Sequence, residues 1–239
     1  MDVEGYYQRY WQSGGGCTPG RLASDLESLY ARYVSPNCNF LDVGCGDGRT
    51  SGPWLRERGC SYAGVDVSST AVAQARSLGL DARLVTDAAS LPFDDDEFDC
   101  AGCIEVLEHL FDPISTVREV HRVLRPDGVF IVTVPNAAYW RRRADLLIGH
   151  WNPLGDELSA QEPWRAPHIR FFSARLLGRM LRHAGFNDIQ LSGHGGAVLG
   201  DIPYFRRYFR SDPRLYGRLR DRFPSLLAYT LSAVARKAS

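Results

Sequence analysis

The sequence lacks the features that mark membrane-spanning, secreted and general nucleic-acid-binding proteins. No apolar stretch approaches about 18 uninterrupted residues, so we expect no membrane-spanning helix. The segment Met1–Arg9 is acidic and aromatic, without the apolar core of a signal peptide, and we expect a cytoplasmic protein. The 28 basic and 28 acidic residues cancel, which removes the charge excess of a general nucleic-acid binder.

Lysine is scarce, whereas the chain has six cysteines. Lysine occurs once, at Lys237, against 27 arginines, a bias that we attribute to genome base composition rather than to chemistry. Six cysteines without a secretory signal favour reduced thiols over three disulfides. The pair Cys100 and Cys103 has the spacing of a redox or zinc motif. Because this pair lies in an apolar run and no second pair accompanies it, we expect two small core residues.

Apolar runs and segments with helical periodicity alternate along the first part of the chain. The apolar runs predict strands at residues 40–43, 62–67, 82–85, 98–104 and 129–134. Helical spacing and end signals predict helices at residues 22–33, 49–58 and 69–78, and from the Asp112-Pro113 pair to just before Arg125. This alternation predicts an α/β fold with a doubly wound, mostly parallel sheet and ligands beyond the carboxyl ends of its strands.

The last part of the chain has a weaker pattern. We predict an arginine-rich segment and a loop at residues 139–164, a helix at 173–184, a strand at 189–192, a helical excursion at 204–223 and a last strand at 228–236. The chain shows no boundary at which to divide it, so we expect a single domain over residues 1–239.

A glycine-rich turn follows the first predicted strand. Gly44, Gly46 and Gly48 stand in the order G-x-G-x-G after Asp42, and they let the backbone come close to a ligand at a helix N-terminus. The dinucleotide fingerprint has a different spacing, G-x-G-x-x-G. A second acid, Asp66, lies 20 residues beyond Gly46 at the end of the next strand. A carboxylate there can accept both hydroxyls of a ribose.

Four segments in this order resemble class I S-adenosylmethionine-dependent methyltransferases of the type-11/12 group. They are Leu41–Gly48, Val65–Ser68, Asp87-Ala88 with the residues up to Asp99, and Leu124–Gly128. The resemblance extends from about Tyr6 to Phe186. It implies a Rossmann-like sheet of seven strands with the last one antiparallel, helical lid elements, and S-adenosylmethionine as the cofactor.

The resemblance also implies cofactor contacts for nine residues of this chain, of which Glu105 lies on a later turn. Those at the methionine end are Asp42, Gly44, Cys45 and Gly46. Those at the ribose and the adenine are Asp66, Val67, Asp87 and Ala88. Asp42 would lie near the methionine amino group, Asp66 would hold the ribose hydroxyls, and Asp87 would accept from the adenine amino group.

The fourth predicted strand runs into a turn that carries Glu105, Glu108 and His109. Near neutral pH, His109 is a candidate base for removing the proton of an acceptor hydroxyl. The turn is similar to that of ubiquinone-biosynthesis O-methyltransferases and of small-RNA terminal 2′-O-methyltransferases. This similarity implies a metal such as Mg²⁺ on Glu105, Glu108, His109 and the later His168. In similar metal-free enzymes Glu105 would be only a cofactor neighbour, and His168 an acceptor-site residue or a loop anchor.

These residues predict an S-adenosylmethionine-dependent methyltransferase (EC 2.1.1.-) that acts on a hydroxyl of a small molecule, such as a phenol, a sugar or a natural-product intermediate. His109 or His168 would be its base. Within the single domain, residues 1–35 would form a helical lid, residues 36–136 the cofactor-binding core, and residues 137–239 the acceptor side with an insert at 200–225. Transfer to nitrogen or to a carboxylate stays open. So do metal-assisted RNA 2′-O-methylation and a non-catalytic partner protein that keeps the fold.

Two clusters combine arginine with aromatic residues: Arg141–Arg143 beside Trp140, and Arg206-Arg207 among Tyr204, Phe205 and Tyr208. Such clusters suit an RNA surface, an anionic or lipid-like substrate, or peripheral contact with a membrane surface. They also suit an ordinary solvated face, which is their most common role. The sequence leaves the oligomeric state open.

Overall fold

The computed structural model describes Gly5, Gln8, Trp11 and Gln12 and the ranges 23–150, 168–195 and 213–239. Within these residues, every helix is too short or too polar to cross a membrane. Three sequence-based predictions fall at least partly outside them: the placement of Cys17, the loop beyond residue 150, and the helical excursion before residue 213.

Seven strands form one sheet in the spatial order β3-β2-β1-β4-β5-β7-β6. They are β1 (Asn39–Val43), β2 (Ser61–Asp66), β3 (Asp81–Leu84), β4 (Phe98–Ile104), β5 (Leu124–Pro135), β6 (Phe186–His194) and β7 (Thr230–Lys237). Strands β1 to β5 pair in parallel, and β7 runs antiparallel between β5 and β6. The predicted doubly wound, Rossmann-like sheet with an antiparallel last strand is confirmed.

The helices with described boundaries are α1 (Ser24–Tyr33), α2 (Gly52–Glu57), α3 (Ser69–Ser77), α4 (Pro113–Val123), α5 (Trp140–Leu147), α6 (Ala174–His183), α7 (Pro213–Arg222) and α8 (Pro224–Leu227). Side chains that accept from backbone N–H groups begin three of them. Ser68 accepts from Ala71, Asp112 from Ser115, and Ser173 from Leu176. Each cap satisfies a backbone donor that the first turn leaves unpaired, and the Asp112-Pro113 start matches the prediction.

The sheet is covered on both faces, which explains its continuous apolar strands. Along β1, Leu41 and Val43 belong to one hydrophobic cluster, whereas Phe40 belongs to the other. Along β5, Phe130 and Ile131 separate in the same alternating way, as the two-residue period of a strand requires. Cys100 and Cys103 are both buried core thiols, as expected.

Two of the differences between the structure and the predicted elements concern the chain from β5 to α5. Residues 140–147, predicted as part of a loop, form helix α5. Strand β5 begins at Leu124, five residues before its predicted start, and its pairing with β4 shifts register between Phe98 and Cys100. A turn composition such as Arg-Pro-Asp-Gly therefore occurs here inside a strand, at a bulge where the partner strand is displaced.

Asn136 connects the end of β5 to the segment around α8. Its fully buried side-chain amide donates to the carbonyls of Pro224, Ser225 and Ala228, and its side-chain oxygen accepts from the Ala138 N–H. These bonds satisfy the whole amide inside the protein. Asn136 thereby fixes where the chain leaves the carboxyl end of β5.

Candidate active site

The glycine-rich turn lies at the carboxyl end of β1. Gly44, Gly46 and Gly48 have φ values of 71°, 54° and 74°, in the left-handed region that glycine adopts without strain. The Gly44 and Cys45 N–H groups both donate to the Val65 carbonyl, at 2.8 and 3.0 Å. These bonds join the turn to the end of β2, so the first two predicted cofactor segments are neighbours in space.

Asp66 lies at that shared edge. One of its carboxylate oxygens accepts from the Gly46 N–H at 2.9 Å, and the other accepts from the Ser68 N–H at 2.8 Å. Burial raises the pKa of the Asp66 carboxyl above its ordinary value, and the N–H donors of Ser68 and Gly46 oppose that rise. Asp66 therefore orients both the glycine-rich turn and the start of α3.

Asp42 lies beneath the same turn and is only 3% exposed. The Tyr62 hydroxyl donates to its carboxylate at 3.0 Å. Burial raises the pKa of the Asp42 carboxyl to about 6, and the hydroxyls of Tyr62 and Ser51 oppose this rise. At neutral pH the protein thus holds a buried negative charge without a cation contact among the described residues, and this charge costs folding free energy.

Replacing Asp42 with asparagine is expected to stabilise the cofactor-free protein at neutral pH. The folded-state pKa lies above the ordinary 3.8, so the folded protein binds more protons than the unfolded chain between those values. Unfolding free energy therefore falls as pH rises from about 4 to about 6, by on the order of 1–3 kcal/mol. Asp42→Asn should remove that fall. Urea unfolding at pH 4 and pH 8 measures it, and an equal pH dependence in both proteins would contradict the assignment.

The segment predicted to contact the adenine lies in a turn and not at the end of a strand. Strand β3 ends at Leu84, so Asp87 and Ala88 lie in the following turn rather than closing the strand. The Asp87 carboxylate is exposed and accepts from the Ala89 N–H at 2.9 Å, while Ala88 is buried. The turn stays beside Asp66 because the Val85 N–H donates to the Asp66 carbonyl. Val67, next to Asp66, is half-buried.

The described residues of the N-terminal segment contact the glycine-rich turn and the start of α3, and the lid role of residues 1–35 stays a prediction. A Cβ added to Gly46 would lie 2.6 Å from the Trp11 ring, so the ring packs directly on this glycine. Gln8 reaches the start of α3, where its amide nitrogen donates to the Thr70 hydroxyl at 2.6 Å and its amide oxygen accepts from the Ser69 hydroxyl at 3.1 Å. The sequence shows that this segment is aromatic, but it does not predict the contact between Gln8 and α3. No local pattern signals a contact 62 residues away.

The acceptor-side turn begins at Glu105, directly after β4. Glu105 is exposed and has a φ of 55°, which costs a residue with a side chain on the order of 1 kcal/mol. The next residue, Val106, packs against Gly44, since a Cβ on that glycine would lie 2.4 Å from a Val106 methyl. The turn that carries the predicted acceptor residues thus abuts the turn that carries the predicted cofactor residues.

Glu108, His109 and His168 form a compact cluster at this turn. One ligand atom from each residue lies within 4.8 Å of the others. The Glu108 Oε1 atom is 3.7 Å from His109 Nε2 and 4.0 Å from His168 Nε2, and the two imidazole rings are 4.8 Å apart at their centroids. Glu108 is 1% exposed, so its carboxylate interacts with the imidazoles in a low dielectric.

Backbone hydrogen bonds bring His168 to this cluster from 59 residues away. The N–H groups of Ile169 and Arg170 both donate to the Glu108 carbonyl, at 2.9 and 3.0 Å. The Arg170 guanidinium also donates to the Phe111 carbonyl. His168 is therefore clamped onto the turn, whereas Glu105, the fourth residue of the predicted metal set, is not part of the cluster.

The structure describes only one of the two arginine-aromatic clusters. Arg141–Arg143 belong to α5, at the surface of the acceptor side, whereas Arg206-Arg207 lie outside the described residues. The predicted base, His109, and the predicted cofactor residues all lie at the carboxyl edge formed by β1 to β4. This edge of an open α/β sheet is where ligands bind.

Comparison of the sequence with known proteins shows which family it matches. Residues 18–191 match a family model described as a methyltransferase domain. Over 138 residues the chain is 36% identical to the methyltransferase GfsG of Streptomyces halstedii, a match that covers 54% of this chain and 50% of that protein. Over 143 residues it is 36% identical to a ubiquinone biosynthesis O-methyltransferase of Pseudomonas paraeruginosa, covering 55% and 60%.

The fold has close structural counterparts. A crystal structure of an S-adenosylmethionine-dependent methyltransferase from Mesorhizobium loti superposes with a TM-score of 0.61 at 20% identity, covering 90% of this chain and 98% of that one. The curated relatives are matched over only about half to three fifths of their length, so their substrates are not carried over by the match alone.

Proposed function

The chain belongs to the class I S-adenosylmethionine-dependent methyltransferases, and from that membership we propose that it methylates a hydroxyl oxygen of a small organic acceptor. The observation that carries the proposal is the contact between two turns. The glycine-rich turn after β1 and the Glu105–His109 turn after β4 are packed together through Gly44 and Val106. A cofactor on the first turn would present its reactive end to the second.

The cofactor end of the proposal rests on Asp42, Asp66 and the glycine-rich turn. S-adenosylmethionine supplies an electrophilic methyl group on a sulfonium and carries an ammonium on its methionine part. Asp42 places a buried carboxylate under the turn, where an ammonium would compensate the charge that burial now leaves costly. Asp66 presents a carboxylate at the end of β2, where its oxygens can accept from ribose hydroxyls in addition to their backbone donors.

The acceptor end rests on the pair of histidines. Methyl transfer to a hydroxyl requires an aligned oxygen and a group that takes its proton. His109 and His168 lie side by side at the turn that faces the cofactor edge, and the buried Glu108 carboxylate stabilises the imidazolium that forms when either accepts a proton. We assign the base role to His109, with His168 orienting the acceptor oxygen. The N-terminal segment over Gly46 would exclude water from the transfer.

The Glu108 cluster also fits a divalent metal ion. Its donor set is one buried carboxylate and two imidazoles, which suits Mn²⁺, Fe²⁺ or Zn²⁺ better than Mg²⁺, an ion that prefers oxygen ligands throughout. Glu108, His109 and His168 would hold such an ion, and the ion would favour the deprotonated form of an acceptor hydroxyl. We therefore replace the predicted Mg²⁺ by a transition-metal ion as the candidate to test.

Calorimetric titration with S-adenosylhomocysteine tests the cofactor half of this proposal. We expect saturable binding with a stoichiometry of one, since the glycine-rich turn and both acids are intact. Absence of binding to the folded protein at neutral pH would exclude the enzymatic proposal and favour a non-catalytic partner protein of the same fold. A screen of phenols, sugars and amines with labelled S-adenosylmethionine then distinguishes oxygen from nitrogen acceptors.

Titration with Mn²⁺, Zn²⁺ and Mg²⁺ after chelation tests the metal separately. If the cluster is a metal site, Mn²⁺ or Zn²⁺ binds more tightly than Mg²⁺, and Glu108→Gln abolishes that binding. Glu57→Gln, which changes an exposed glutamate of α2, is the matched control and should bind as the parent does. Equal metal binding by parent and Glu108→Gln would exclude Glu108 as a ligand, and absence of binding by the parent would leave the histidine pair as the catalytic group without an ion.

A further inference from the structure

We propose that helix α5 (Trp140–Leu147) docks this protein on an anionic lipid surface. The proposal goes beyond methyl transfer and does not depend on it. None of the residues of α5 is buried, and every residue from Arg143 to His150 is exposed. The side chains of Leu147 and Ile148 are 87% and 67% exposed, more than any other large apolar side chains of the described residues.

The apolar and basic residues of α5 are ordered around the helix. Trp140, Ala144, Leu147 and Ile148 follow the spacing i, i+4, i+7, i+8, which places them along one stripe of a helix. At 100° per residue, Arg141 and Arg143 fall on the two sides of this stripe. An apolar stripe flanked by arginines is the pattern of a helix that lies in the plane of a membrane interface.

Contacts at the first turn of α5 hold that turn on the protein body, where the Trp140 indole nitrogen is buried. Arg142, on the opposite side of the helix, donates to the Asn136 carbonyl at 3.2 Å, and its guanidinium lies 5.0 Å from the Tyr229 ring centroid. Asn136 is itself bound to the α8 segment. The first turn of α5 therefore lies against the body, and the exposed Leu146, Leu147 and Ile148 project from the far end of the helix.

A second apolar group lies beside this first turn. Phe223 and Leu226, which bracket the start of α8, are about half exposed, and Tyr229 follows them. The neighbouring helix α7 adds the exposed arginines Arg218 and Arg222. The Arg142–Tyr229 contact places α8 beside the first turn of α5, so basic and apolar side chains are grouped here on a chain whose formal net charge is zero.

The occupant that fits this surface is an anionic lipid bilayer. Each arginine near such a bilayer contributes electrostatic attraction, and the exposed Leu147 and Ile148 side chains can insert among the acyl chains. The basic groups of α5 frame its apolar stripe, rather than being interleaved with stacking rings as a nucleic-acid strand would require. This surface also lies on the acceptor side of the sheet.

Vesicle sedimentation tests the proposal with the full chain and without cofactor. Vesicles of phosphatidylcholine alone are compared with an equimolar mixture of phosphatidylcholine and phosphatidylglycerol. We expect binding to the anionic vesicles that is at least about ten-fold stronger and that weakens with added salt. The pair Leu147→Ser and Ile148→Ser should reduce it on the order of ten-fold, as should the pair Arg141→Glu and Arg143→Glu.

Matched controls lie away from the surface. Leu84→Ser changes a 51% exposed leucine on edge strand β3, and Arg175→Glu with Arg179→Glu changes exposed arginines of α6. Both controls should bind vesicles as the parent does, and thermal melts verify that all variants are folded. Equal binding to both vesicle types, or equal loss in controls and α5 variants, overturns the proposal. A change from dimer to monomer in the α5 variants without vesicle binding by the parent assigns the surface to self-association instead.

Discussion

Replacing Asp66 with alanine is expected to lower the affinity for S-adenosylhomocysteine by at least about 100-fold. The carboxylate holds the Gly46 and Ser68 N–H groups at 2.9 and 2.8 Å and would accept from two ribose hydroxyls as well. Hydrogen bonds to a charged group contribute about 1.5–3 kcal/mol each, so losing two of them accounts for a loss of this size. Isothermal titration of parent and variant measures it.

Two further variants separate ribose binding from turn geometry. Asp66→Asn keeps the shape and one acceptor oxygen, so its affinity should fall between those of the parent and Asp66→Ala. Asp81→Ala removes an exposed carboxylate at the start of β3, beside Arg83, and should leave the affinity unchanged. If Asp66→Ala binds within a few-fold of the parent while its melting temperature is unchanged, Asp66 is a turn-forming residue and not a ribose ligand.

The cofactor edge was predictable from sequence because its signals are local. Glycine at positions 44, 46 and 48 is required by backbone angles that other residues avoid, and the structure has those angles. Asp66 was identified by its place at the end of an apolar run, and strand ends are set by short-range composition. The order of strands and helices was predictable for the same reason, because it depends on local signals. The predicted boundaries differ from the observed ones by a few residues.

Helix α5 escaped prediction because its amphipathic pattern does not point to a core. Its apolar stripe is exposed, and its first turn carries three arginines in succession, so the segment was interpreted as a solvated loop. A helix is ordinarily recognised in a sequence by apolar residues at helical spacing, which form the face that packs against the core. The exposed apolar stripe made α5 difficult to predict, and the same stripe supports the lipid-surface proposal.

Contacts between distant segments were the other part that the sequence could not supply. His168 was a candidate by composition, but its position beside His109 depends on two backbone bonds to the Glu108 carbonyl. Gln8 and Asn136 gave no signal at all, since their amides are satisfied by segments 60 or more residues away. Such residues become visible only when the sheet order is known.

Replacing His109 with alanine is expected to lower kcat for methyl transfer by about 100-fold to 10,000-fold while the affinity for S-adenosylhomocysteine stays within two-fold of the parent. A positioned general base contributes this range of rate enhancement. His109 lies on the acceptor turn, and the predicted contacts with the cofactor come from other residues. The measurement is transfer of labelled methyl to the best acceptor from the phenol and sugar screen, paired with titration of the product cofactor.

His168→Ala should lower kcat less than His109→Ala, because it removes the orienting imidazole and leaves the base. The double variant should be little worse than His109→Ala alone, since groups that act as a unit are not additive. His183→Ala, which changes an exposed histidine of α6 beside Arg118, is the matched control and should retain full activity. If His168→Ala causes the larger loss, the two roles are exchanged. If both single variants retain kcat, the acceptor needs no base, and transfer to nitrogen or a carboxylate replaces hydroxyl methylation as the activity of this site.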